Sequence, residues 1–139
     1  MKLTISLNLI FTLFLFSCKK ENQSVTDTQL YGKWKWESNF SGSATTTPQN
    51  TGINETLVFN SNLTWSKTQN GVIVNNGIYK TATSKNSKGE NIGSVTYNNT
   101  KNQSDTTTYY KVYNDTTLIF SHDFTGTIGS SSRTYNKSK

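Results

Sequence analysis

The chain has 139 residues, 32% of them hydrophobic and 16% charged, with one Pro, one Cys and one His. That is enough chain for one domain with a tail, and the counts exclude a disulfide framework, a Cys/His zinc site within one chain and a Cys–His nucleophile pair. Thr (23), Ser (17) and Asn (17) fill 57 positions, too polar and too poor in Leu and Ala for a helical bundle. The 12% aromatic content sets it apart from a disordered chain. The formal charge is +6, but the lysines are scattered along the chain, and no basic cluster marks a nucleic-acid surface.

The first residues read as an address. Met1-Lys2 is a short positive start, and Leu3 to Phe16 is uncharged and mostly apolar. Fourteen residues fall short of the roughly 20 that a helix needs to span a bilayer and suit the hydrophobic region of a signal peptide. The stretch ends Leu15-Phe16-Ser17-Cys18, and the Cys is the only one in the chain. This resembles a bacterial lipobox, with Phe16 standing where a small residue is usual. The resemblance implies cleavage before Cys18, acylation of that residue with two or more chains of the palmitate kind, and stable membrane attachment. Lys19, where an Asp would signal retention, implies an outer-membrane destination within the cell envelope. Residues 1–17 are thus expected to be a lipoprotein signal peptide, 18–29 a polar flexible tether, and 30–139 the folded domain.

The domain reads as short strands separated by turns. Residues 30–40, LYGKWKWESNF, alternate, with Trp34, Trp36, Ser38 and Phe40 on one face and Lys33, Lys35, Glu37 and Asn39 on the other; period two with aromatics on one side predicts a half-buried strand. Residues 41–54, with the only Pro, read as a long loop. Strands are predicted at 55–60 and 63–69 around a Ser61-Asn62 turn. Asn70-Gly71 is the strongest hairpin signal, since a type I′ turn needs positive φ at both central residues. Gly77 is expected to start a strand or form a bulge, with the strand running to 84. Further strands are predicted at 92–97, at 107–113 and 116–121 across Asn114-Asp115, and at 124–136. About eight strands with no helix predict an all-β fold, a single antiparallel up-and-down barrel or a sandwich; a barrel leaves no unpaired edge.

Gly32-Lys33-Trp34, the run Thr56 to Trp65, Gly77-Ile78-Tyr79, the run Tyr110 to Phe120 and Arg133-Thr134-Tyr135 follow one another in an order that resembles the small lipocalin-like domains carried on bacterial lipoproteins. Their pattern is G-x-W, F-x-x-x-G-x-[YW], G-x-Y, Y-x-[IV]-x-x-D-T-L and a late Tyr or Arg. Asn62-Leu63 stands where the family often has Gly. The resemblance covers about residues 30–136. It implies an eight-stranded barrel, closed at one end by Gly32 and Trp34 with the single Arg of the chain, Arg133, stacked on the Trp34 indole.

His122-Asp123 cannot serve as base and orienter, because strand neighbours point to opposite faces. No phosphate loop or metal-ligand spacing occurs, so no catalytic residue, metal or cofactor is expected and the protein reads as a non-enzyme. The presumed inner face carries Trp34, Trp36, Phe40, Leu57, Phe59, Trp65, Tyr79, Tyr110, Val112, Leu118 and Phe120. Either these fill the interior, which side chains alone can do in a barrel of eight strands, or they close one end and line a cup at the other. In the second case Trp36, Phe40, Trp65 and Tyr79 would line a site for a small hydrophobic ligand, with Lys67 meeting an acidic head group. Two functions follow: a membrane-anchored ligand-binding barrel, or an envelope interaction protein that binds another protein through polar loops over a filled barrel.

Overall fold

The alternating run at the start of the domain forms the first strand, β1 (Gly32–Ser41), which buries Trp34 and Trp36 and exposes Lys33, Lys35 and Glu37. A computed structural model describes residues 29–100, 105–121, 124 and 131–139; the leader, Cys18, the tether to residue 28 and His122-Asp123 lie outside the described residues. After β1 come β2 (Ala44–Thr46), α1 (Pro48–Thr51), β3 (Glu55–Phe59), β4 (Thr64–Gln69), β5 (Val72–Lys85), β6 (Asn91–Asn99), β7 (Asp105–Tyr113), β8 (Thr117–Ser121) and β9 (Ser132–Ser138). From β3 onward each strand pairs with the next, and β9 returns to β1. All pairings are antiparallel. Eight strands therefore close into an up-and-down barrel. The short β2 pairs with Asn39, Phe40 and Ser41 at the far end of β1, whose first residues pair with β3.

Two of the turns follow from local chemistry. Asn70 (φ 49°) and Gly71 (φ 82°) form the two-residue link between Gln69 and Val72, as a type I′ turn requires. Asn114 (φ 49°) and Asp115 (φ 55°) take the same left-handed region between β7 and β8. The turn between β3 and β4 departs from expectation. Its positive φ (63°) falls on Leu63, not on Asn62, and Asn60 and Thr64 close the loop through a 2.9 Å backbone bond. A leucine held left-handed costs about 1–2 kcal/mol, and Leu63 is 42% exposed, so packing offsets only part of that cost. Leu63→Gly is accordingly expected to raise the unfolding free energy by about 1 kcal/mol, readable as an increased midpoint in urea denaturation.

Residues 41–54 hold more structure than one loop. Besides β2 they contain one helical turn, α1, which starts at Pro48. Its N-terminus is closed by a reciprocal pair of bonds: Asn50 N donates to Thr47 Oγ1 (3.4 Å) and Thr47 N donates to Asn50 Oδ1 (2.8 Å), a capping box with Asn in the usual Glu/Gln place. Strand β5 begins at Val72, five residues before Gly77. A bulge falls near Val74, where the register steps from Lys67↔Asn75 to Thr68↔Ile73. Gly77 lies inside the strand, where a Cβ would run into the Asn98 carbonyl and the Trp65 indole.

One end of the barrel is packed solid. Leu30, Trp34, Phe59, Tyr79, Tyr110 and Leu118 are fully buried there. Trp34 Nε1 donates to the Leu30 carbonyl at 2.7 Å, Tyr79 Oη donates to the Asn60 carbonyl at 3.1 Å, and Phe59 meets Tyr79 edge-on at 5.1 Å. Gly93 leaves room for the Tyr110 ring, which a Cβ would strike. The cation over Trp34 is Lys137, 5.1 Å from the ring centroid, and not Arg133. The register explains the difference, since Trp34 pairs with Lys137 while Arg133 pairs with Asn39 toward the other end. Gly32, with φ 128°, sits beside the Lys137 stem, whose Cε would lie 3.0 Å from an added Cβ.

Candidate functional site

The opposite end, where β1 turns into β2 and Asn70-Gly71 joins β4 to β5, is not filled by the described residues. A cavity of about 390 Å³ opens there. Its apolar floor is built from Leu57, Trp65, Tyr97 and Phe120, with Trp65 and Tyr97 at 4.7 Å and Tyr97 and Phe120 at 6.4 Å between ring centroids. Burial pushes the Tyr97 phenol well above its ordinary pKa of 10.0, with the neighbouring Tyr110 adding to the shift, so Tyr97 stays neutral. The rim is polar and uncharged, with Asn39, Asn75, Thr106, Thr108 and Ser132 among its residues.

A β-bulge decides what β1 contributes to this rim. Opposite β9, Trp36 pairs with Tyr135 and Ser38 with Thr134, so one residue of β1 is extra. An added residue exchanges the two faces of everything beyond it. Trp34 and Trp36 therefore point inward before the bulge and Asn39 after it, and Phe40 turns to the outside, where it is 42% exposed.

Between floor and rim lies a charged cluster centred on Glu55. This residue is in phase with Leu57 and Phe59, so the pleat that buries them also turns its carboxylate inward; β3 buries all three. Oε2 accepts from Lys67 Nζ at 2.9 Å, from an Arg133 guanidinium nitrogen at 2.9 Å and from Gln69 Nε2 at 3.0 Å. Oε1 accepts from Tyr135 Oη at 2.6 Å. Burial is the largest single influence on this carboxyl and opposes its ionisation. The bonds from Tyr135, Gln69 and Lys67, with the Lys67 charge, together outweigh it and hold the pKa below the ordinary 4.5. Burial and the adjacent carboxylate raise the Tyr135 phenol far above its ordinary value, which keeps it a donor. The Arg133 guanidinium also lies 5.0 Å over the Trp36 ring, a contact worth about 0.5–2 kcal/mol.

The expected ligand residues are divided by this geometry. Trp65 and Lys67 line the cavity. Trp36 lies beneath Arg133, Tyr79 is packed into the closed end, and Phe40 faces outward. Lys67 meets an acidic group, but that group is the protein's own Glu55. Glu55, Gln69, Tyr97 and Asn39 were not singled out by the sequence. The phase of Glu55 with Leu57 and Phe59 is the one signal that could have found it. Among the described residues, no three His, Cys, Asp or Glu side chains converge as a metal site would require, and no helix is long and apolar enough to cross a membrane. The sequence matches no protein-family model and no curated protein.

Proposed function

We propose that this protein is a lipid-anchored, lipocalin-like lipoprotein of the bacterial cell envelope, attached through Cys18 to the outer membrane, that binds a small apolar or aromatic molecule without transforming it. The observation that carries this reading is the contrast between the two ends of the barrel. One end is closed by Trp34, Tyr79 and Tyr110, and the other holds a cavity of about 390 Å³ with an aromatic floor. A concave site that joins apolar surface to convergent polar groups suits small-molecule recognition, and here polar side chains, among them Asn39, Lys67, Asn75 and Arg133, make up as much of the wall as the apolar ones. The lipobox Leu15-Phe16-Ser17-Cys18 and the order of motifs from Gly32 to Tyr135 support the anchor and the family.

One variant tests both halves. Cys18→Ala is expected to move the protein from membranes to the soluble fraction. The released chain, titrated with a hydrophobic naphthalene dye, should show quenched or shifted tryptophan emission, and that response should disappear in Trp65→Phe. Membrane retention of Cys18→Ala would refute the anchor, and emission unaffected by any dye would refute the cavity. The alternative role, recognition of another protein, is favoured by Val72 and Ile73, which stand 66% and 60% exposed beside Asn70-Gly71 at the cavity end. Changing both to Thr should abolish such recognition and leave dye binding intact.

A further inference from the structure

The ions around the cavity are unequal in what they show to it. Lys67 and Arg133 line its wall, with side chains 25% and 34% exposed, whereas the Glu55 carboxylate that joins them is wholly buried behind. Two cations against one carboxylate leave one positive charge, and the other described lining residues carry no formal charge. Trp65 forms part of the apolar floor beside the two cations, so the charge sits next to a surface that an apolar body would cover. One surplus charge in a partly desolvated site is matched by one negative charge; a second anionic group would be desolvated with no cation to meet it.

We infer that the cavity selects monoanions, compounds with an apolar or aromatic body and a single carboxylate-like group seated against Lys67 and Arg133, and that Glu55 is the residue that limits the ligand to one charge. This rests on the cavity being a ligand site. Glu55 acts as a specificity-determining residue from behind the wall. It cancels one of the two cations and fixes the other side chains in place, with Lys67 and Arg133 both bonded to the same oxygen, Oε2.

The test uses the soluble Cys18→Ala chain and four probes of one shape: naphthoate, naphthalenemethanol, naphthalenemethylamine and naphthalenedicarboxylate, each titrated by tryptophan fluorescence and by calorimetry. Naphthoate should bind about tenfold or more tighter than the alcohol and the amine, the size of one charge-assisted hydrogen bond in such a site, and tighter than the dicarboxylate. Glu55→Gln, which leaves two positive charges, should shift the ratio of dicarboxylate to naphthoate affinity by about tenfold toward the dianion. Lys67→Gln, which leaves none, should erase the advantage of naphthoate over the alcohol. If the alcohol or amine equals naphthoate in the parent chain, or if Glu55→Gln folds and leaves the ratio unchanged, the charge rule is wrong while the cavity reading stands. If no probe binds, the cavity reading falls and the charge rule with it. Should Glu55→Gln fail to fold, the parent ranking and Lys67→Gln decide the question.

Discussion

Replacing Glu55 by Ala is expected to cost about 3 kcal/mol, which for a domain of this size is roughly 10–15 °C in Tm. The side chain itself buries little apolar surface. The loss comes from what it leaves behind: the Tyr135 hydroxyl and the Gln69 amide lose their acceptor, and Lys67 and Arg133 lose their counter-charge in the barrel wall. Partial exposure of the two cations keeps the cost near the lower limit for a broken buried pair. Glu55→Gln, which preserves an acceptor, should cost less. The sign of the pH dependence follows from the lowered pKa. The folded state binds the Glu55 proton more weakly than the unfolded chain does. The stabilisation is therefore complete above the unfolded value, near 4.5, and is lost as pH falls through the lower folded value. Urea midpoints measured across that acid range should decline more steeply for the parent chain than for Glu55→Gln. Equal slopes would show that Glu55 is not the carboxylate responsible.

Replacing Trp34 by Ala is expected to be the most damaging single change, at about 3–5 kcal/mol. Trp34 is fully buried, its indole N–H holds the Leu30 carbonyl at 2.7 Å, and its ring carries Lys137 at 5.1 Å. Removing it opens a void at the closed end and frees Leu30, which lies just before β1. Trp34→Phe separates the contributions, since it keeps most of the volume and loses the hydrogen bond. Thermal unfolding should rank the parent chain above Trp34→Phe and Trp34→Phe above Trp34→Ala. Lys137→Met should cost about 1 kcal/mol, the size of a cation–π contact, whereas Arg133→Met should not disturb the Trp34 end.

The barrel was legible in the sequence because its signals are local. A strand with one buried face writes its alternation into consecutive residues, and a type I′ turn writes its positive φ into Asn70-Gly71. The failures share another cause. The bulge in β1 is defined by pairing with β9, almost a hundred residues away, and nothing in residues 32–41 announces it. Phe40 therefore read as inward and is outward. Arg133 was set on Trp34 by resemblance alone, and the pairing of β1 with β9 puts it opposite Asn39 and over Trp36. Glu55 was hidden by its charge, which argued for the surface, although its phase with Leu57 and Phe59 argued for the interior. Two of the groups that resolve the conflict, Arg133 and Tyr135, lie 78 and 80 residues further along. The small helix α1 was concealed in a stretch rich in Thr, Gly and Asn, although the Thr47–Asn50 capping pair, Pro48 in its first turn and the left-handed Gly52 at its end mark it. Position within a strand was readable; the meeting of strands distant in sequence was not.

The barrel has an aromatic-floored cavity at one end and is closed at the other, and the three tryptophans report on both ends. In a proton–nitrogen correlation spectrum of the soluble Cys18→Ala chain, each indole N–H gives one peak. On saturation with naphthoate the Trp65 peak should move, since Trp65 forms the cavity floor, while the Trp34 peak, fixed on the Leu30 carbonyl at the packed end, should stay in place. A bound probe that leaves Trp65 unmoved, or that moves Trp34 instead, would contradict the account.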